Sequence, residues 1–471
     1  MKDLRRFFEP RAVAVIGASS TPHKPGNDVI RNMIANGYTG KIFPVNPKGG
    51  DILGIQAFRS IRDLPEGLDL AIIILPAGAN PDAVRECAAR GIQAVVLAAG
   101  GFSEVDKQGR ALQEELLRAI KETGIRALGP NTSGHSSMPH HFTSSFFPLG
   151  RIPRGPISYI AQTGNFATHT MRYISTEEHF GVARVVGLGN KLDIDENDIL
   201  EYYATDPETK AIFIYLESFK DPKRFMEIAG EVTRSKPVIL LKGGSSREGA
   251  QAAVAHTAAM ASDDRLIDAA LKQAGVVRIY EYSHLVLAAK VLACMPLPKG
   301  NKVSFLAPSG AQLVCVTDLC RRTLGLNVPA VEEATRHRLQ EISPSFIRMR
   351  NPVDIWPAAS VRGVLEAYRE GMEAVLKDPN IDAVVPILLL TDETGVPPLD
   401  FLVDLSRKYP DKPILATFTG EKKHREAAQA FLEPRGVPTF PLIEEPFKVL
   451  SILAACRRAR DRSALRRIEK D

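Results

Sequence analysis

Short apolar runs alternate with helical stretches along the whole chain, and this alternation narrows the fold more than any other feature. Val13–Ile16, Ile42–Val45, Asp69–Leu75, Gln93–Ala98 and Ile125–Leu128 read as strands. Between them Pro81–Arg90 and Lys107–Thr123 carry helical spacing, and each is followed by a stop glycine, Gly91 or Gly124. Alternation of this kind predicts an α/β fold, with a mostly parallel sheet and helices on both of its faces.

The pattern restarts twice. Gly150–Pro156 is a Gly/Pro-rich junction, followed by runs at Ile157–Ala161, Val182–Val186, Ala211–Leu216, Pro237–Lys242 and Val276–Ile279. Met295–Gly300 is a second junction, followed by Val303–Ala307, Ala383–Leu390 and Pro413–Phe418. The 471 residues are too many for one core and suit several domains. The expected division is a Rossmann-like domain over 1–149, a flavodoxin-like domain over 150–297 and a second flavodoxin-like domain over 298–471.

Composition excludes several classes of function. Apolar residues make up 44%, enough to fill cores, which argues against disorder. No apolar run approaches the roughly 20 residues needed to cross a bilayer, so no membrane partner is expected. Met1–Pro10 is charged and lacks the apolar core of a secretory signal. The five cysteines are scattered without paired or metal-ligand spacing. A reducing cytoplasm is therefore expected, and no metal site. A net charge of +5 is mild, compatible with a phosphate-bearing ligand and not indicative of nucleic acid. The basic stretch Arg457–Arg467 reads as a solvated helical end.

Gly17–Gly26, G-A-S-S-T-P-H-K-P-G, follows the first strand. Glycine allows a tight strand-to-helix turn, and the next helix, with Val29, Ile30, Met33 and Ile34 on one face, would aim its amides at a phosphate. A dinucleotide fingerprint needs a second glycine two residues after the first, where this chain has Ser19. A nicotinamide site also wants an acidic residue ending the second strand. Here Val45 and Asn46 stand, with Lys48 just beyond. A lysine suits an extra phosphate, which favours a phosphorylated adenosine ligand such as coenzyme A over NAD.

Gly17–Ser19, Pro44–Lys48, Leu75–Ala77, Gly100–Glu104 (G-G-F-S-E) and Gly129–Asn131 together resemble the CoA-binding domain of the succinyl-CoA synthetase superfamily. The resemblance implies that these loops wrap coenzyme A at the carboxyl ends of the strands. The coenzyme would meet Gly17, Ala18, Ser19, Val45, Asn46, Leu75, Ala77 and Gly100. Lys24 and Lys48 would meet phosphates, Pro76 and Phe102 would line the adenine and pantetheine path, and Asn131 would approach the thiol.

Lys242–Ile279 runs from a strand through a glycine-rich loop to His256 among small residues, then into an amphipathic helix. It resembles the phosphohistidine loop of ADP-forming acyl-CoA synthetases. The resemblance makes His256 the phosphate carrier and Glu217 the carboxylate that holds its ring, fixing the tautomer and steadying the cation. Ala161–Asn165 (A-Q-T-G-N) sits between a strand and a helix, a place suited to a phosphate, and the resemblance implies that Thr163, Gly164 and Asn165 receive the phosphoryl group. Ala307–Gln312 (A-P-S-G-A-Q) resembles the matching loop of the ligase domain, placing Ser309, Gly310 and Ala311 at a second phosphate. Asn351–Trp356 (N-P-V-D-I-W) is similar to a segment bordering the acyl pocket. The sequence departs from the family at Ala258 and Ser262, where the relatives carry glycine, and at Ala161 and Thr163.

No Walker-type phosphate loop or ATP-grasp stretch is seen. The resemblance therefore implies the α subunit of a split ADP-forming acid–CoA ligase. It would act on a small organic acid or its acyl-CoA and assemble as a hetero-oligomer with an ATP-grasp β subunit. That partner would bind most of the ATP or ADP with magnesium. The alternatives are a non-catalytic CoA-binding regulatory subunit and an NAD-dependent oxidoreductase.

Overall fold

The computed structural model describes residues 4–162, 164, 166–246, 248–249, 251, 263–393 and 395–468. The chain divides into two compact units, Met1–Leu285 and Val286–Asp471.

The first unit holds two sheets. In one, β1 (Ala12–Ile16), β2 (Lys41–Val45), β5 (Leu70–Ile73), β6 (Ala94–Leu97) and β7 (Arg126–Leu128) lie in the order β2-β1-β5-β6-β7, all parallel. A small antiparallel ribbon of β3 (Asp51–Ile52) and β4 (Ile55–Gln56) follows β2. The other sheet gathers β8 (His135–Ser137), β9 (Phe142–Thr143), β10 (Arg154–Ala161), β11 (Val182–Gly187), β12 (Ala211–Leu216), β13 (Val238–Lys242) and β14 (Val277–Ile279) in the order β14-β13-β12-β10-β11-β8-β9. Its first five strands are parallel, while β8 and β9 extend it antiparallel. The second unit carries β15 (Val303–Ala307), β16 (Val353–Asp354), β17 (Ala383–Leu390), β18 (Ala416–Gly420) and β19 (Thr439–Phe440), parallel in the order β16-β15-β17-β18-β19. The chain is thus α/β with predominantly parallel sheets. No helix among the described residues is long and apolar enough to cross a membrane.

Helix ends follow the sequence signals. Lys107–Thr123 starts at Asp106, whose carboxylate accepts from the Gly109 amide at 2.8 Å, and it stops at Gly124 with φ +69°. Pro25–Ala35 buries Val29, Ile30 and Met33, but Ile34 is 49% exposed. The inner position is taken by Asn32, whose amide donates to the Ser145 and Phe147 carbonyls at 2.8 and 2.7 Å. A buried Asn is tolerated there because both donors are used.

The two sheets of the first unit share one core. The short helix Arg5–Phe8 wedges between them, and Phe8 stacks on Tyr202 at 4.5 Å. Behind it the Arg184 guanidinium, fully buried, forks onto Asp206 at 2.9 and 3.2 Å and also bonds Ser137. This bidentate pair is compensated and holds the antiparallel extension to the parallel core.

Candidate functional site

The carboxyl ends of the first sheet carry the predicted coenzyme loops side by side. The Gly17 and Ala18 amides donate to the Val45 carbonyl at 3.2 and 3.1 Å, and the Asn46 side chain donates to the Ala18 carbonyl at 2.8 Å. Gly17 has φ +88°, and a Cβ there would lie 2.3 Å from the Ile74 carbonyl, so only glycine fits. A Cβ on Gly26 would come within 2.1 Å of the Gly17 carbonyl, which lets the helix start close against the turn. Ser19 closes that turn by accepting from the Thr21 amide at 3.1 Å. Lys24 caps the helix and Lys48 follows Asn46, both exposed on the turns after the neighbouring strands β1 and β2. Leu75 packs beside Gly17, and Ala77 beside Gly101. Pro76 is exposed between them.

Phe102 is placed differently from expectation. Its ring is fully buried in the core under the first sheet, so the side chain has no surface to offer a ligand path. What shapes this loop is Glu104, whose carboxylate accepts from the Gly101 and Phe102 amides at 2.7 and 3.1 Å. Burial pushes its pKa up, but these amides and the Asn190 side chain outweigh that and hold it low.

Asn190 was not legible as a site residue. Its side-chain amide donates to Glu104 at 2.7 Å and to Gln113 at 3.2 Å, and its oxygen accepts from Asn131 at 3.4 Å. Asn131 itself stands at φ +57° after a cis Gly129–Pro130 bond. Lys191, which follows Asn190, also has a positive φ, +55°, and is buried. Its ammonium donates to the Ser218 carbonyl at 2.7 Å and pairs with Glu196 at 3.0 Å. Consecutive side chains thus tie the coenzyme loops of the first sheet to the end of β12 in the second.

At that end sits Glu217, which is buried. Gln162, directly after β10, accepts from the Glu217 and Ser218 amides at 2.8 and 3.0 Å, and the Tyr215 hydroxyl donates to the Glu217 carboxylate at 3.2 Å. Lys242 ends the neighbouring strand, paired in register with Leu216. Gly243 follows so closely that a Cβ would lie 3.3 Å from the Glu217 side chain. The chain then enters the segment bearing His256.

His256, Ala258 and Ser262 lie outside the described residues, as do Thr163 and Asn165. Gly164 is described. Its carbonyl accepts from the Thr168 hydroxyl at 3.0 Å, and the buried Ser133 side chain lies against it. The helical run after it, 166–178, contains π turns at Phe166–Thr170 and Ile174–Glu178, a geometry that concentrates at functional sites.

In the second unit Ser309 adopts N-cap geometry before the helix Gly310–Leu319, with Gly310 and Ala311 exposed in its first turn. Asn351 braces the opposite end of β15, its amide donating to the Val303 and Pro329 carbonyls at 3.0 and 2.9 Å. Trp356, two residues beyond β16, is 60% exposed. At the ends of β17 and β18, Asp392, Glu421 and His424 bring ligand-type atoms within 4.8 Å of one another. Lys423 already pairs with Asp392 and lies 3.6 Å from Glu421, supplying the positive charge this cluster needs.

Comparison with known proteins matches these parts to named ones. Residues 11–137 fit the model of the CoA binding domain, and residues 154–292 fit the succinyl-CoA ligase like flavodoxin domain. Acetate–CoA ligase [ADP-forming] I subunit alpha of Pyrococcus furiosus is 33% identical over 96% of this chain and 97% of its own. Acetate–CoA ligase [ADP-forming] II of Archaeoglobus fulgidus is 35% identical over 95% of this chain, which spans only 66% of that longer relative. Among solved structures, the dinucleotide-forming acetyl-coenzyme A synthetase 1 of Ca. Korarchaeum cryptofilum, in complex with phosphate and ADP, superposes with a TM-score of 0.90 at 29% identity, covering 99% of both chains. Neither a regulatory coenzyme-binding subunit nor a nicotinamide oxidoreductase finds support among these relatives. By identity and coverage together, the chain belongs to the family of ADP-forming acetate–CoA ligases.

Proposed function

We propose that this chain is the α subunit of an ADP-forming acid–CoA ligase whose His256 ferries a phosphoryl group to a nucleotide held by a separate ATP-grasp subunit. In this reading the chain forms three domains, 1–149, 150–297 and 298–471, with β8 and β9 of the first range joining the sheet of the second, and it works in the cytoplasm. The observation that carries the reading is the buried Glu217, its backbone fixed by Gln162 and its carboxylate bonded by the Tyr215 hydroxyl, directly beside the strand end that leads to His256. Such a carboxylate orients an imidazole and stabilises it when cationic.

Acyl-CoA would lie along the carboxyl edge of the first sheet, with Lys24 and Lys48 meeting its phosphates and Asn131 near its sulfur. A phosphate oxygen attacks the thioester carbonyl, the C–S bond breaks, and CoA leaves as the thiol after taking a proton. The products are acyl phosphate and free CoA. An imidazole nitrogen of His256 then attacks phosphorus, the P–O bond to the acyl group breaks, and the carboxylate departs. Phosphohistidine finally passes the group to ADP, forming ATP, and the reverse sequence activates an acid. Helix N-termini after Gly164 and Ser309 would steady the transferred charge. Magnesium would arrive with the nucleotide on the partner. Two further points support the reading: relatives of matching length are called α subunits, and a structural relative was solved with phosphate and ADP.

The test is an acid-labile label. Incubated with its partner and radiolabelled ATP, the chain should take up phosphate, and His256→Ala should not. Equal labelling of both proteins would end the proposal.

A further inference from the structure

Three cations gather where β12, β13 and β14 end, and two of them are matched by carboxylates. Arg278 bonds Asp268 and Asp264, both at 2.7 Å. Lys191 pairs with Glu196 at 3.0 Å. Lys242 is different. It is only 7% exposed, and among the described residues its ammonium meets just the Gly243 carbonyl, with no carboxylate in ion-pair contact.

A buried ammonium that meets one neutral acceptor and no carboxylate in ion-pair contact among the described residues is costly. Burial is the main influence lowering its pKa, and Arg278 and Lys191 push the same way against Asp264 and Glu217. A fold gains nothing from such a group. Methionine would fill the same space without the penalty.

The position gives the charge a use. Lys242 is level with Leu216, one residue before Glu217, and opens the chain into Gly243 and Gly244, the latter at φ +71°. The Ser245 hydroxyl bonds back to the Lys242 carbonyl at 2.9 Å and accepts from Arg278 at 3.0 Å, which pins the start of this loop. A dianion entering beside the Glu217 carboxylate needs a cation to offset the repulsion.

We propose that the Lys242 ammonium is a phosphoryl-binding group, the counter-charge for inorganic phosphate and for the phosphoryl group in transit beside Glu217; this rests on the relay proposed above. Lys242 supplies the charge at the strand end, and Glu217 holds the ring.

The experiment compares Lys242→Met and Lys242→Arg with the unsubstituted chain, each assembled with its nucleotide-binding partner and assayed for ATP formation from acetyl-CoA, ADP and inorganic phosphate. For Lys242→Met, KM for phosphate should rise about tenfold, the cost of one hydrogen bond to a charged group, while KM for acetyl-CoA holds. Its thermal midpoint should be equal or higher, because an unmatched buried charge is gone. Lys242→Arg should keep KM for phosphate nearer the original. An unchanged KM for phosphate in Lys242→Met overturns the contact and leaves the relay standing. Parallel rises for both substrates with a lowered midpoint assign the lysine to the fold and overturn it as well. If the unsubstituted complex takes up no acid-labile label from radiolabelled ATP, the relay itself falls, and the contact with it.

Discussion

Glu217 concentrates the residue-scale argument, because its surroundings serve a charged carboxylate. Tyr215 donates to its oxygen, and its backbone is fixed by Gln162. Glu217→Gln keeps the volume but removes the charge that would steady a cationic ring. The rate of acid-labile labelling should fall about a hundredfold, the scale of losing an acid–base partner, with little change in thermal midpoint. A second residue-scale prediction concerns His135. Burial drives its pKa from 6.5 to about 4; the Phe7 carbonyl it bonds opposes this, and Arg184 adds to it. From pH 6.5 down to 4 the unfolded chain binds a proton that the folded chain refuses, so stability falls as pH falls through that window. The loss reaches on the order of 3 kcal/mol at its acid end. His135→Gln, which does not titrate, should flatten the fall in thermal midpoint between pH 7 and pH 4.5, and an identical slope in both proteins would contradict this. At this scale the sequence is informative where backbone geometry demands a residue type, as at Gly17, whereas Glu217 stands out only through the family resemblance. It was silent where the role depends on a distant partner: Asn190 and Lys191 look like ordinary loop polar residues until the fold brings Glu104 and Ser218 to them. Phe102 shows the reverse error, since a loop position beside glycines gives no sign that its ring turns into the core.

At the scale of elements, strands at Ala211–Leu216, Val303–Ala307 and Ala383–Leu390 and the helix Lys107–Thr123 keep the limits expected from sequence. Each is a long apolar or amphipathic run bounded by residues that change the backbone. The last strand of that reading drifts: Pro413–Phe418 was expected, but β18 spans Ala416–Gly420. Apolar character reports burial, and Ile414 and Leu415 are buried ahead of the continuous strand, Ile414 making only an isolated bridge to Val384. β8 and β9 are not legible in the sequence, because His-Ser-Ser and Phe-Thr are too short to carry a period. The turn between β1 and its helix sets the element-scale prediction. Gly26→Ala puts a methyl group 2.1 Å from the Gly17 carbonyl, so the helix must back away from the turn. Overpacking of that kind costs about 1–3 kcal/mol. Thermal midpoint should drop by several degrees, and the stabilisation that coenzyme A gives the full chain should be lost.

The whole molecule raises the question of what this chain can do by itself. Its relatives come in two forms, one of matching length called an α subunit and one longer, of which it spans 66%. In the proposed relay the described sheets provide the acyl-CoA edge and the carboxylate for the histidine, while the nucleotide site lies on another polypeptide. The chain alone should then bind coenzyme A, seen as a concentration-dependent rise in thermal midpoint. It should neither form ATP from acetyl-CoA, ADP and phosphate nor acquire label from ATP. Adding the ATP-grasp protein should restore both activities together, with turnover saturating as that protein is titrated in, because the phosphoryl group must cross between them in every cycle. ATP formation by the chain alone, at a rate the added protein does not raise, would place the nucleotide site within these residues and remove the need for a partner.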